Sequence, residues 1–311
     1  MGLGIDGDYR TRHNAAIRHC LTLLLLLLPC LAHAWNAAGH RLVAGIAWQQ
    51  LSPPVQALIA NTLRQHPDHE RWQTRAKSSE PAAIFAEAAI WPDEIRNDPR
   101  FYDEARETPK PPVPGLPDHA RHLNWHYMDV DRSGRVVSGQ LERRLNELSL
   151  LLVANTETPR LAWALPWISH LVADIHQPLH VGHADDDGGT EFAIEDPFNP
   201  RLPFSSLHRY WDDLPGPPWL RGKRLDEAIA RLLAEHTAPA LGSVRQWREE
   251  SHRLLATVVY PETTGTLLPI ISQPFHQRAQ KVSGRRLVDA GFRLCWLLER
   301  SLAPRVSRET Q

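Results

Sequence analysis

Ser169-His170-Leu171-Val172-Ala173-Asp174-Ile175-His176-Gln177-Pro178-Leu179-His180 places three histidines and an aspartate in one short run. His170 and Asp174 are four residues apart, so on a helix they project from one face on adjacent turns. Gln177-Pro178 then stops that helix, and His180 follows just beyond the stop. Upstream, Leu165-Pro166-Trp167-Ile168 is apolar, which implies that the helix is buried. A buried imidazole and a buried carboxylate need partners, and a divalent cation satisfies several of them together. His176 points to another face if the helix persists, and is read as a packed or supporting histidine.

The same chemistry recurs along the chain. His208 and Asp212 repeat the four-residue spacing beside Tyr210-Trp211. Three further segments set a ligand-type side chain close to tryptophan: Trp35-Asn36-Ala37-Ala38-Gly39-His40, Ile90-Trp91-Pro92-Asp93, and Trp125-His126-Tyr127-Met128-Asp129. Taken singly, each also reads as a surface ion pair, a helix cap, a turn residue or a packed aromatic. Taken together, they offer nitrogen and oxygen ligands without a thiolate, a set suited to zinc.

Around these segments the pattern is helical almost throughout. Helices are expected at 36–50, 53–65, 81–90, 140–154, 159–175, 205–213, 224–236, 241–258 and 285–302, with Thr158-Pro159 serving as cap and first turn. In the last of these, Leu287, Gly291, Leu294, Leu298 and Leu302 share one face, which marks a core-packing helix. Seven prolines between Pro92 and Pro117 predict an ordered, irregular loop. Asp185-Asp186-Asp187-Gly188-Gly189 begins a turn-rich excursion over 182–203 with room for a short hairpin. No repeat or composition shift separates two domains, so one all-α, mostly helical domain is expected, with long ordered loops and at most a short hairpin.

Composition narrows the function. The 311 residues carry 35 Lys+Arg against 36 Asp+Glu, a formal charge of -1, which excludes a strongly basic nucleic-acid binder. Any polyanion must therefore be held by a local site. A hydrophobic content of 42% and 11 tryptophans exclude a disordered chain. Arg10, Arg12 and Arg18 precede the apolar run Leu21–Leu28, Pro29, and Ala32-His33-Ala34, which has the form of a signal peptidase site. Residues 1–34 thus read as a cleaved signal peptide and 35–311 as the exported domain, periplasmic or secreted, with no stable membrane anchor because the run is too short to span a bilayer. After residue 34 the sequence keeps one cysteine, Cys295, so no disulfide can tie the exported part together internally.

These segments resemble the zinc-dependent S1/P1 nucleases over essentially the whole of 35–311. The resemblance rests on Trp35-x4-His40, Trp91-x-Asp93, Trp125-His126-Tyr127, the 169–180 string, Leu207-His208-Arg209-Tyr210-Trp211-Asp212 and Ala290-Gly291-Phe292-Arg293-Leu294. It implies three zinc ions: one bound by Asp93, His126, His170 and Asp174, a neighbour bridged through Asp174 and taking His40 with the terminal amine and carbonyl of Trp35, and a third bound by His180, His208 and Asp212. It also implies a helical fold shared with zinc phospholipase C, and cleavage of single-stranded DNA and RNA to 5′-phosphates without an obligate protein partner. By the same resemblance, Asp93 and Arg96 act in catalysis, while Tyr127 stacks on a base and Asp129 bonds its edge. Asn36 and Thr190 depart from the family's usual glycine and asparagine. Cleavage of 3′-mononucleotides stays open, and a zinc phospholipase C or a non-catalytic exported zinc protein are the alternatives. The four-residue gap before His40 and the aspartate at 212 favour the nuclease.

Overall fold

Asn36 starts the first helix by turning its side-chain oxygen onto the Ala38 N–H at 2.9 Å, the side-chain cap expected of this residue type. Helix α1 (Ala37–Gln50) is followed by α2 (Pro53–Leu63), α3 (His69–Ala76), α4 (Pro81–Ala88) and the short α5 (Trp91–Glu94). After the proline-rich loop come β1 (Met128–Val130), β2 (Val136–Gly139), α6 (Leu141–Val153) and α7 (Thr158–Asp174). Then follow β3 (Ala193–Glu195), β4 (Phe204–Ser206), α8 (Leu207–Asp213), α9 (Lys223–Glu235), α10 (Val244–Leu254) and α11 (Gln273–Glu309). This computed structural model describes residues 35–154, 157–262 and 268–309. The expected signal peptide, 1–34, lies outside them.

The fold is mostly helical, as the sequence implied. From Leu161 to Asp174, α7 is buried on every side, which makes it the central helix rather than a surface one. Helix α11 packs most extensively on α1. The contact depends on Gly291, where a Cβ would lie 2.4 Å from Ile46 Cγ2, so a side chain there would force the two helices apart. Leu287, Leu294, Leu298 and Leu302 are buried along the same face. The main core collects Trp35, Trp72, Trp91, Trp125, Trp163, Trp167 and Trp247, while a second cluster forms around Trp211, Val259 and Phe275.

Several boundaries differ from expectation for identifiable reasons. Helix α3 has a single buried residue, Trp72, so its sequence shows almost no apolar periodicity. Helix α11 begins twelve residues earlier than its pattern, because Gln273–Gly284 is largely polar outside Phe275 and Ala279. Pro92 does not open an irregular loop: it occupies the first turn of α5, where its missing N–H costs nothing, and a 3₁₀ turn over Ile95–Asn97 continues it. Glu157, not Thr158, is the N-cap residue of α7. The helix expected to 258 ends at Leu254 and passes into a π turn, Leu255–Val259.

The expected hairpin is β3 with β4, antiparallel, with Ile194 opposite Ser205. A second one, β1 with β2, pairs Asp129 with Ser138. Its Met128-Asp129-Val130 strand is buried throughout, so it lacks the apolar-polar alternation that marks a half-exposed strand. Beyond α5, the proline-rich loop is held by charge. Asp98 and Asp68 take Arg100, and His122 lies between Glu104 at 3.1 Å and Asp118 at 2.8 Å.

Candidate metal centre

Helix α7 carries His170 and Asp174 on one face, and three other elements bring their ligand-type residues to it. Helix α1 brings His40, α5 brings Asp93, and the turn before β1 brings His126. His170 Nε2 lies 3.3 Å from Asp174 Oδ2 and 3.7 Å from Asp93 Oδ1. His126 Nδ1 is 2.9 Å from His170 Nε2 and 3.4 Å from Asp174 Oδ2. On the other side of the same carboxylate, Asp174 Oδ1 is 3.6 Å from His40 Nε2, which is also 3.8 Å from Asp93 Oδ2. Asp174 thus stands between two groups of imidazoles, one at each oxygen.

A separate cluster joins the 3₁₀ turn Pro178–Val181 to α8. His180 Nε2 and His208 Nε2 are 3.2 Å apart, and Asp212 lies 3.9 Å from the first and 3.5 Å from the second. Three groups able to hold a metal therefore stand out: His40 with Asp93 and His170, His126 with His170 and Asp174, and His180 with His208 and Asp212.

The imidazoles are oriented from behind by main-chain carbonyls. His170 Nδ1 donates to Ala89 O at 2.8 Å, His180 Nδ1 to His126 O at 2.6 Å, and His208 Nδ1 to Gly188 O at 2.7 Å. Each bond fixes the proton on Nδ1 and turns a basic Nε2 into the cluster, the outer arrangement that metal-binding histidines use. Gln177 does the same for a carboxylate, donating from Nε2 to Asp212 Oδ1 at 2.8 Å.

The donor set fits a cation. His40 Nδ1 and Nε2 and both oxygens of Asp174 are buried without a hydrogen-bond partner. Orphaned polar atoms on this scale are costly, and a metal ion is the group that satisfies nitrogen and oxygen acceptors together. Burial acts on their protonation in the same sense. It holds the His40, His126 and His180 imidazoles well below their usual range and His170 at about 3, keeping them neutral as ligands must be. Burial, with Asp93 nearby, pushes the Asp174 carboxyl well above the ordinary carboxylate range, and burial does the same to Asp212. Such carboxyls stay ionised only beside compensating positive charge.

Eight of the nine expected ligands are brought together in this way. Trp35 is wholly buried, with its side chain against Gly39, and the next residue, Asn36, donates its backbone N–H to Asp212 O at 3.1 Å. Asn36 also donates through its side chain to Asp213 and to Gly216 O, so its amide ties α1 to the chain after α8. Arg96 is buried one turn beyond Asp93, its Nε 3.0 Å from Asp93 Oδ1. Asp129 is buried in β1 and accepts from Ser138 Oγ at 2.5 Å, and burial raises its carboxyl to about 6. A Cβ on nearby Gly188, at φ +58°, would lie 2.7 Å from Leu179 O, so glycine there lets the 182–190 loop close on the turn that carries His180. Tyr127 is half-buried at the start of this strand. Thr190 Oγ1 is buried without a hydrogen-bond partner. His176 lies outside all three groups, as a packed histidine.

The buried histidines and aspartates of this helical domain thus converge into groups that could hold metal ions. The S1/P1 nuclease family profile matches residues 35–303, and the chain belongs to that family. Similar proteins include Endonuclease 3 of Arabidopsis thaliana, 28% identical over 195 residues, covering 62% of this chain and 58% of that protein. Endonuclease 1 of the same plant is 26% identical over 196 residues, covering 62% and 57%. Endonuclease 4 is 26% identical over 211 residues, covering 65% and 62%. The chain therefore spans less than two thirds of the length of these relatives.

Proposed function

We propose that this protein is a zinc-dependent endonuclease that hydrolyses single-stranded DNA and RNA to 5′-phosphate products. The observation that carries the reading is Asp174, fully buried with both oxygens lacking a protein donor and with imidazoles on either side. Three zinc ions would be held as follows: one by Asp93, His126, His170 and Asp174, one by Asp174, His40 and the amine and carbonyl of Trp35, and one by His180, His208 and Asp212. Bound zinc supplies Lewis acidity toward a phosphate oxygen and lowers the pKa of water toward 7.

The protein's own groups do the remaining work. Asp93 orients the attacking water and accepts its proton, while Arg96, held beside it, stabilises the charge that builds on the phosphoryl oxygens. Tyr127 offers a ring for a base to stack on, and Asp129, fixed by Ser138, accepts from the base edge. A base can be read in this way only once it has left its stack, which favours unpaired strands. Three cations against the three carboxylates Asp93, Asp174 and Asp212 leave the site positive, which is how a chain of formal charge -1 would hold a polyanion.

Residues 1–34 are proposed to direct export and to be removed after Ala34, placing the protein in the periplasm or the medium. Among the described residues no helix is long and apolar enough to cross a membrane. The test of function is to incubate the protein beginning at Trp35 with single-stranded DNA, RNA and phosphatidylcholine, with and without chelator. Chelator-sensitive release of 5′-phosphate ends is the expected result. Hydrolysis of the lipid alone would transfer the protein to the phospholipases.

A further inference from the structure

His176 sits between Asp174 and His180, yet neither of its ring nitrogens faces a metal group. Nδ1 donates to Val172 O at 2.7 Å, and Nε2 accepts from the Arg293 guanidinium at 2.9 Å. The main chain on either side is held by the same helices. Ile175 O accepts from Ser251 Oγ of α10 at 2.6 Å, and His176 O accepts from Arg286 Nε of α11 at 3.3 Å. Arg286 also donates to Ser251 Oγ at 2.8 Å, and both arginines share Glu250. His176, Ser251, Arg286 and Arg293 are all buried.

This clamp grips the two residues at which α7 ends. The next residue, Gln177, is extended and fully buried, and both ends of its amide are in use. Its oxygen caps Leu179 N at 2.6 Å, starting the 3₁₀ turn that carries His180, and its nitrogen donates to Asp212. The place of Gln177 therefore sets two members of the His180–His208–Asp212 group together. The Asp174 cluster depends on it less directly: His170 and Asp174 lie within the hydrogen-bonded body of α7, His40, Asp93 and His126 come from other elements, and the turn reaches the cluster through the bond from His180 Nδ1 to the main-chain oxygen of His126.

We infer that His176, held by Arg293 and Arg286, is a positioning residue for the metal site of His180, His208 and Asp212, acting through Gln177 and separately from the Asp174 cluster. The inference rests on the zinc reading proposed above. Removing the clamp lets the chain after Asp174 relax, so that His180 and Asp212 no longer hold their approach to His208. Losses of this outer-shell kind run from about tenfold to a hundredfold in metal affinity.

The test uses the zinc-loaded protein and its His176→Leu, His176→Gln and Ser251→Ala variants, with zinc per chain measured across a graded series of chelator concentrations. Cobalt-substituted samples report ligand geometry by their visible absorption, and thermal unfolding is followed in parallel. In His176→Leu, about one zinc equivalent should leave at roughly tenfold lower chelator strength while the rest is retained. His176→Gln, which can still accept from Arg293, should recover part of the affinity. If His176→Leu does not fold, Ser251→Ala removes a single hydroxyl from the clamp and carries the same comparison. Zinc held as tightly as in the parent, or lost in one step together with the fold, would overturn the inference. The metal reading itself is checked by His180→Ala in the parent background: an unchanged zinc content there would sink that reading and the inference with it.

Discussion

The backbone N–H of Asn36 donates to the carbonyl oxygen of Asp212 across 3.1 Å, so the residue next to Trp35 is bonded to the residue that closes the third metal group. Trp35 itself is wholly buried and lies against Gly39. If its amine is a ligand, it must be a free amine. An α-amino group has a pKa of about 8 and yields its proton to zinc near neutrality, whereas an amide nitrogen has no lone pair to offer. Protein beginning at Trp35 should therefore bind more zinc and cleave single strands faster than protein with one alanine added before it. Equal zinc content and equal rates would remove the amine from the ligand set.

Metal removal should cost stability as well as activity. The proposed ligands are drawn from segments between Trp35 and Asp212, and no disulfide joins those segments, because the one described cysteine, Cys295, is free. A site occupied at a thousandfold its dissociation constant contributes about 4 kcal/mol. Chelation should lower the thermal midpoint by several degrees, with recovery on adding zinc back. Asp174→Asn should reproduce the loss in part and leave the His180 group loaded. A midpoint indifferent to chelator would argue that the buried polar atoms are satisfied in some other way.

Tyr127→Ala should weaken binding of single strands and leave zinc content unchanged, since Tyr127 belongs to none of the metal groups. Stacking of one base is worth about 1–3 kcal/mol, so a rise in KM of roughly tenfold or more is expected. A hairpin substrate labelled in stem and loop gives the companion measurement. Cleavage confined to the loop is expected, and equal cutting of the stem would count against base capture by Tyr127.

Asp129 gives the pH dependence. Burial raises its carboxyl to about 6, against the opposing bond from Ser138. A carboxylate accepts from a base edge only when ionised, so capture is complete above that pH and declines as pH falls through it. KM should rise below pH 6 in the parent. In Asp129→Asn, where nothing titrates at this position, KM should stay flat over the same interval. A parallel rise in both proteins would assign the effect to the metal ligands instead.

What the sequence disclosed follows from which atoms carry identity. His170, Asp174 and His180 were legible because a four-residue spacing and a proline stop are properties of the string itself. The supports behind them were not. Ala89 O, His126 O and Gly188 O belong to the main chain, which looks alike at every position, and only the fold brings them to imidazoles. Gln177 was visible merely as part of a helix stop, although its amide accepts from Leu179 N–H and donates to Asp212. Helix α3 was missed because one tryptophan makes no periodicity, and the β1–β2 hairpin because its first strand is buried on both faces. The turn Asp131-Arg132-Ser133-Gly134 was the available signal for that hairpin, with Gly134 at φ +80°.

The close approach of Gly291 to Ile46 bears on how portable the metal centre is. Every candidate ligand occurs at or before Asp212, so a fragment ending there would hold the full set of donor atoms. It would nonetheless lack α11, the surface against which α1 lies and from which His40 gains its place, as well as the arginines that grip the end of α7. The donors are thus not a cassette that could be lifted into another scaffold. Their geometry belongs to a helix that contributes no ligand, and substitutions far from any metal, at a glycine on that helix, should be among the most damaging to it.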